Sequence, residues 1–239
     1  MHYTDISIPL SFNHSGPICY YADAPEMETI EMGDFIGDVA RGGPVNHRRL
    51  HLTPHGNGTH TECYGHISAD PEATLRNCIN GFEFSAQLIT IAPLPVGPDF
   101  MITWPQIRPL LVAGVQAVVI RTRPNDDGRL TRNYSGTNPP YFEAALAINL
   151  AQRGVMHFVT DLPSVDREQD GGLLAFHKAF FNIQKPRRAA TISELAYVPD
   201  ELVDGLYQLM MMVPLWDTDA APSRLLLGPP KMGLTPSIH

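Results

Sequence analysis

The sequence predicts a mixed α/β fold, with a barrel-like sheet and peripheral helices. Strand–helix–strand units are the first indication: apolar runs at residues 117–121 and 155–160 flank a helical pattern at residues 141–153. The rest of the chain is rich in short strand patterns, and its 239 residues with 44% hydrophobic content are enough to bury a substantial core. No repeat, charged tail or low-complexity linker interrupts it, so we expect one domain over residues 1–239.

The first half reads mainly as strands. Residues 3–10 alternate between apolar and polar like an opening strand, and residues 48–53 alternate in the same way. Residues 87–92 form a third strand pattern. The second of these strands delivers the chain into a histidine-rich segment.

The second half alternates between strand and helix patterns. The predicted elements are a short helix from Trp104 toward Gly114, a buried strand at residues 117–121, a helix at 141–153, a strand at 155–160, a helix at 173–181, and strands at 191–196 and 207–213. Pro109 opposes the first of these helices, because proline removes a backbone donor. Gly154 occupies the usual stop position after the helix at residues 141–153.

Charge and cysteine content narrow the classes of partner and compartment. The net charge is −8, with only a short basic group at residues 185–188 that reads as a solvated loop. Nucleic acid and anionic membranes are therefore poor partners. The three cysteines, Cys19, Cys63 and Cys78, form no CxxC pair, which argues against a disulfide framework. The first residues lack a signal-peptide pattern and no apolar stretch is long enough to span a membrane, so we expect a cytoplasmic protein.

Histidines are concentrated in one segment. Five of the ten fall within twenty residues, at His47, His51, His55, His60 and His66. One such histidine is usually a surface polar residue. Five together, beside glycines, favour a metal site instead, because neutral imidazole offers a lone pair near pH 7.

Spacing within this segment places three donors together. On an extended strand, His60, Glu62 and His66 share one face. Two imidazoles and a carboxylate suit a zinc-like or manganese-like ion. Cys63 has the opposite parity, and we interpret it as a buried structural cysteine.

The segment from His55 to His66 resembles the signature His-x-Gly-Thr-His-x-Asp-x-Pro-x-His of the cyclase-like metal hydrolases, whose best-known members are bacterial kynurenine formamidases. Further matches follow in the same order at residues 161–166, 174–177, 193–195, 207–214 and 221–224. The resemblance thus spans nearly the whole chain. It implies the swivelling β/β/α architecture, assembled as homodimers or larger homo-oligomers.

The resemblance also implies a ligand set. It assigns one or two divalent ions, zinc or manganese, to residues of the signature and to a later histidine and glutamate. Carried over to this chain, the candidate ligands are His55, His60, Glu62, His66, His177 and Glu194. Taken alone, His177 would be a helix surface residue and Glu194 an exposed strand carboxylate.

Three departures from the signature affect these assignments. One extra residue separates His55 from His60, so either an irregular backbone at residues 56–58 returns His55 to the metal, or Gly56 fills that position and a ligand is missing. Glu62 replaces the expected aspartate, which keeps the charge but moves the carboxylate. Tyr64 replaces the proline, and we expect it to pack as an aromatic side chain.

The resemblance implies metal-dependent hydrolysis of a carbon–nitrogen bond in a small amide of the arylformamide kind, by metal-activated water. His66 or His177, where not needed as a ligand, would be the catalytic residue that carries a proton to the leaving amine. Hydrolysis of an ester, lactone or cyclic amide at the same site is the alternative enzyme interpretation. A metal-binding protein whose altered signature no longer activates water is the non-enzyme interpretation.

Overall fold

A computed structural model describes residues 2–230. The strands in this part of the chain are β1 (Thr4–Asp5), β2 (Glu26–Thr29), β3 (Glu31–Met32), β4 (Phe35–Ile36), β5 (Arg48–His51), β6 (His60–Glu62), β7 (Glu83–Ile91), β8 (Leu94–Val96), β9 (Asp99–Ile102), β10 (Ala117–Thr122), β11 (Tyr141–Phe142), β12 (His157–Thr160), β13 (Thr191–Glu194), β14 (Gly205–Met212), β15 (Ala220–Pro222) and β16 (Arg224–Gly228).

The helices are few and short. They are α1 (Leu75–Cys78), α2 (Trp104–Ile107), α3 (Ala144–Gln152) and α4 (Ala175–Phe181), with 3-10 turns at Val39–Arg41, Pro54–Gly56, Tyr64–Ile67 and Asp127–Leu130. No helix within residues 2–230 combines the length and apolarity needed to cross a bilayer.

The predicted mixed α/β fold with a barrel-like sheet is confirmed. Nine strands form one sheet in the order β1-β16-β14-β7-β10-β12-β13-β6-β15, which curls into a half-barrel. The four central strands β7, β10, β12 and β13 run parallel, and antiparallel strands extend the sheet on both sides. A three-stranded sheet (β11-β9-β8) and two hairpin-like pairs (β2-β5 and β3-β4) complete the strand pairing.

Apolar side chains fill both faces of the central sheet. All six residues of β10 are buried, as expected for a parallel strand covered on both sides. Val118 and Ile120 pack toward the helices in one core cluster, while Ala117 and Val119 belong to the cluster on the other face. The alternation follows from the two-residue period of a strand.

Several predicted elements are shorter than expected. The helix predicted from Trp104 toward Gly114 ends at Ile107, before Pro109. The helix predicted at residues 141–153 begins at Ala144, because Tyr141–Phe142 follow two prolines and pair with β9 instead. The opening strand predicted at residues 3–10 is reduced to Thr4–Asp5; beyond it, the Ile8 amide donates to the Thr59 hydroxyl (2.7 Å) rather than to a strand partner. The following residue, Pro9, has no amide hydrogen to donate.

Candidate metal centre

The neighbours of β6 bring the first two ligand candidates together. Strand β6 lies between β13 and β15, and its register sets His60 opposite Glu194. His60 Nε2 is 3.3 Å from Glu194 Oε2, and both side chains are almost fully buried. The backbone amide of Val165 donates to the other oxygen of Glu194 (2.9 Å), which fixes the carboxylate.

Glu62 occupies the middle of the site. Its carboxylate is completely buried on the same face of β6 as His60. Oε1 is 3.0 Å from Nε2 of His177, which α4 delivers, and Oε2 is 3.3 Å from Nδ1 of His55. The structure therefore brings His177 and Glu194 to the histidine-rich segment from more than a hundred residues downstream.

His66 reaches the site by a different route from the one the sequence predicted. Strand β6 ends at Glu62, so His66 is not on the strand but on the 3-10 turn Tyr64–Ile67. The turn still directs its Nδ1 to 3.8 Å from Glu62 Oε2. Gly65 makes the turn possible, because a β-carbon there would lie 1.9 Å from the Ala73 carbonyl oxygen.

The extra residue near His55 is absorbed by a turn. Residues Pro54–Gly56 form a 3-10 turn, and Gly58 has a φ of 153°, which glycine adopts readily. The Asn57 side chain accepts a hydrogen bond from the Thr53 amide (2.6 Å) and closes this loop. As a result His55 and His60 face one centre, with their ring centroids 5.0 Å apart. Of the two alternatives for the extra residue, the structure has the irregular backbone that returns His55 to the centre, and Gly56 does not take its position.

Three of the histidines each donate one ring N–H to a different oxygen that lies outside the centre. His60 Nδ1 donates to the Gly58 carbonyl (3.0 Å), and His177 Nδ1 donates to Asp166 (2.6 Å). His55 Nε2 donates to Asp219 (2.9 Å). Each bond orients its ring so that the opposite nitrogen is directed at Glu62 or Glu194, which is how metal-binding imidazoles are usually oriented.

Sequence reasoning missed Asp219 and the role of Asp166. Asp219 Oδ2 contacts both His55 and His66, at 2.9 and 3.3 Å. It precedes β15, whose pairing with β6 sets Ala220 opposite Glu62. The match to the family at residues 221–224 was the available signal that Asp219 lies near the site. Asp217 is only two residues away, however, and only the pairing of β15 with β6 distinguishes the two aspartates. Asp166 lies within the match at residues 161–166, but nothing in that segment indicates its hydrogen bond with His177.

The donor set fits divalent ions. Two groups have ligand atoms within 4.8 Å of one another: His60, Glu62 and Glu194 form a buried group, and His55, Glu62 and His66 form a more exposed one. His60 Nε2, His177 Nε2 and both oxygens of Glu62 are buried without a hydrogen-bond partner among the described residues. Unpaired buried polar atoms are costly, so their convergence points to an ion that they would hold.

Charges within the site compensate one another. Burial opposes a charge on His55, but the neighbouring carboxylates of Asp219 and Glu62 raise its pKa to about 10. Burial likewise opposes charge on Glu62, yet His177 and His55 hold its pKa below the usual range. The raised pKa of His55 and the lowered pKa of Glu62 thus favour a charged pair, and a bound cation would replace the proton on His55.

Cys63 is directed away from this centre. It belongs to the apolar core that packs against the helices, and its thiol donates to the Ala73 carbonyl (3.5 Å). Its hydrogen bond with Cys78 and its burial raise the pKa of the thiol. A protonated, buried thiol is neither nucleophile nor ligand, which agrees with the structural interpretation of this residue.

The family of this chain follows from a comparison with known proteins. The model of the family described as "Putative cyclase" matches residues 4–167, more than half of the chain. The chain belongs to the cyclase family. The kynurenine formamidase of Bacillus mycoides (strain KBAB4) is 28% identical over 189 residues, which cover 78% of this chain and 82% of that protein.

Solved structures of similar proteins share the cyclase-family fold. Isatin hydrolase A from Labrenzia aggregata matches with a TM-score of 0.69 and 17% identity, over 95% of this chain and 93% of the other. A predicted metal-dependent hydrolase from Bacillus stearothermophilus matches with a TM-score of 0.63 and 20% identity, over 95% and 97%. At these identities the likeness concerns the fold alone.

Proposed function

We propose that this protein is a metal-dependent hydrolase that cleaves the carbon–nitrogen bond of a small aromatic amide, of the arylformamide kind. The observation that carries the proposal is that the unpaired buried nitrogens of His60 and His177 both lie near the unpaired carboxylate of Glu62. The kynurenine formamidases that resemble the chain support the substrate class.

The buried group of His60, Glu62 and Glu194 would hold the principal ion, zinc or manganese, since imidazole and carboxylate donors suit both. A bound divalent ion lowers the pKa of water and polarises a carbonyl group. Glu62 also belongs to the more exposed group, so a second ion would share this carboxylate with the first.

His66 is the better placed of the two histidines for proton transfer. Its side chain is 30% exposed, whereas that of His177 is 2% exposed and lies between Glu62 and Asp166. Asp219 contacts His66 Nδ1 and would stabilise the protonated ring. We therefore assign His66, when only the buried group holds an ion, the transfer of a proton to the leaving amine, and His177 the support of the Glu62 carboxylate.

The test is turnover of a substrate panel by metal-free and metal-reconstituted protein. The panel contains arylformamides, a phenyl ester, an aryl lactone and isatin, a cyclic amide chosen because isatin hydrolases share the fold. We expect arylformamide hydrolysis that a chelator abolishes and that zinc or manganese restores. His60→Ala should abolish it, while His47→Ala, outside the centre, should not.

Other results would redirect the proposal. Metal-dependent turnover of only the ester, lactone or isatin would replace the substrate class and keep the metal chemistry. Metal binding without turnover of any panel member would contradict the enzyme assignment and favour a metal-binding protein.

A further inference from the structure

A narrow crevice lies beside the metal centre. Its walls are formed by Cys19, Tyr20, Tyr134, Pro139, Pro140, Pro163, Ser164, Asp166 and Glu168. Asp166 also accepts the Nδ1 hydrogen bond of His177, and the amide of Cys19 donates to the Gly56 carbonyl beside His55 (2.9 Å). The crevice therefore adjoins two sides of the proposed ligand set.

One of the side chains that line this crevice has a polar atom without a partner among the described residues. Tyr134 is 95% buried, and its hydroxyl has no hydrogen-bond partner among the described residues. An unsatisfied buried hydroxyl is destabilising, so a ligand atom that paired with it would be favoured. Prolines and a second tyrosine surround it with flat apolar surfaces, the kind of lining that binds an aromatic ring with one polar group to orient it.

Tyr20 controls the room in the crevice. The free volume is about 10 Å³, roughly what one water molecule needs. The Tyr20 hydroxyl donates to the Pro163 carbonyl at 3.4 Å and also hydrogen-bonds Ser164, and the residue as a whole is 43% exposed. Its φ of 54° and that of Tyr21, 55°, are left-handed conformations that non-glycine residues rarely adopt. An outward rotation of the Tyr20 ring would widen the crevice at the cost of its hydrogen bonds to the Pro163 carbonyl and to Ser164.

The charge of the lining limits what the crevice accepts. Its charged side chains are the carboxylates Asp166 and Glu168. A guanidinium lies 5.6 Å from the Tyr134 ring centroid, but it belongs to Arg132, which is paired with Asp126 at 2.8 Å. A carboxylate on the substrate ring would be repelled here and would find no free cation in the lining.

We propose that this crevice, with Tyr20 rotated outward, binds the ring of an uncharged aromatic amide and that the Tyr134 hydroxyl hydrogen-bonds a polar atom of that substrate. The inference rests on the proposed function and specifies its substrate: neutral anilides rather than anilides that carry a carboxylate beside the amide.

The experiment compares formanilide with 2-formamidobenzoate in wild type, Tyr134→Phe and Tyr207→Phe. Tyr207 is the matched control, because its hydroxyl bonds the Val203 carbonyl far from the crevice. We expect wild type to prefer formanilide at least tenfold in kcat/KM. Loss of one hydrogen bond in Tyr134→Phe should raise the KM for formanilide about five- to tenfold with kcat nearly unchanged. Thermal midpoints verify that each variant is folded.

A third variant tests the position of the ring. Tyr20→Ala should shift the preference from formanilide toward the larger N-(1-naphthyl)formamide at least tenfold, because the wall that limits the crevice is gone. Two results would overturn the inference and leave the proposed function intact. In one, Tyr134→Phe hydrolyses formanilide with the KM of wild type. In the other, wild type prefers 2-formamidobenzoate to formanilide. No turnover of any anilide by wild type would overturn both.

Discussion

Glu62→Gln tests whether the two groups of candidate ligands form one metal centre that shares a carboxylate. Glu62 is the one residue that both groups contain, so its loss should weaken every ion in the centre. Glutamine keeps the shape of the side chain, yet it removes the negative charge and turns an amide hydrogen toward His177 or His55.

The size of the effect follows from linkage between binding and folding. At a metal concentration of 100 times Kd, binding stabilises the wild type by about 2.7 kcal/mol, which raises Tm by about 5–11 °C for a chain of this length. If the variant binds a hundredfold more weakly, the same concentration equals its Kd and contributes about 0.4 kcal/mol, or about 1–2 °C.

The assay is differential scanning fluorimetry of chelator-treated protein with and without added zinc or manganese. Comparing each variant with itself removes any effect of the substitution on the metal-free protein. Glu201→Gln, at an exposed carboxylate, is the control and should show the wild-type rise. A metal-dependent rise in Glu62→Gln equal to that of wild type would refute the shared-ligand arrangement.

Three further outcomes follow from the structure. Asp219→Asn should lower metal affinity about 10–100-fold, because the charged group that accepts the hydrogen bond of His55 is lost. Isothermal titration should show no such change for Asp217→Asn, and equal affinities for the two variants would contradict the assignment. Gly65→Ala forces a methyl group against a carbonyl and should cost about 1–3 kcal/mol, so a Tm within 1 °C of wild type would disagree. Burial lowers the pKa of His157 to about 4. As pH falls, this histidine is therefore protonated in the unfolded chain before it is protonated in the folded protein. Up to about 3 kcal/mol of the free energy of unfolding is lost between about pH 6.5 and pH 4. His157→Gln should therefore lose less Tm over that range, and an equal loss in both proteins would count against this account.

Strongly patterned segments could be predicted from the sequence. The buried strand β10 and the strand β12 are continuous apolar runs, and α3 ends before Gly154 in the usual stop position. Strand β2 shows the opposite case. Three of its four residues are exposed, so it had no apolar face that a periodic pattern could reveal.

The site was predictable only where chain neighbours form it. His60 and Glu62 share a face because they are two apart on one strand. His66 depends on a turn that Gly65 permits, and Asp219 depends on β15 pairing with β6 across more than 150 residues. Such pairing is a tertiary event, and no local pattern distinguishes Asp219 from its neighbour Asp217.

The position of β6 between β13 and β15 has a consequence for the newly made chain. On emerging from the ribosome, the segment around residues 55–66 carries several of the donors but none of their distant partners. The buried group closes only when β13 pairs with β6, and Asp219 arrives only when β15 adds to the other edge. Contacts of such long sequence separation form late in folding. Tight, selective metal uptake should therefore follow synthesis of nearly the whole chain, and an ion captured earlier would be held loosely enough to exchange.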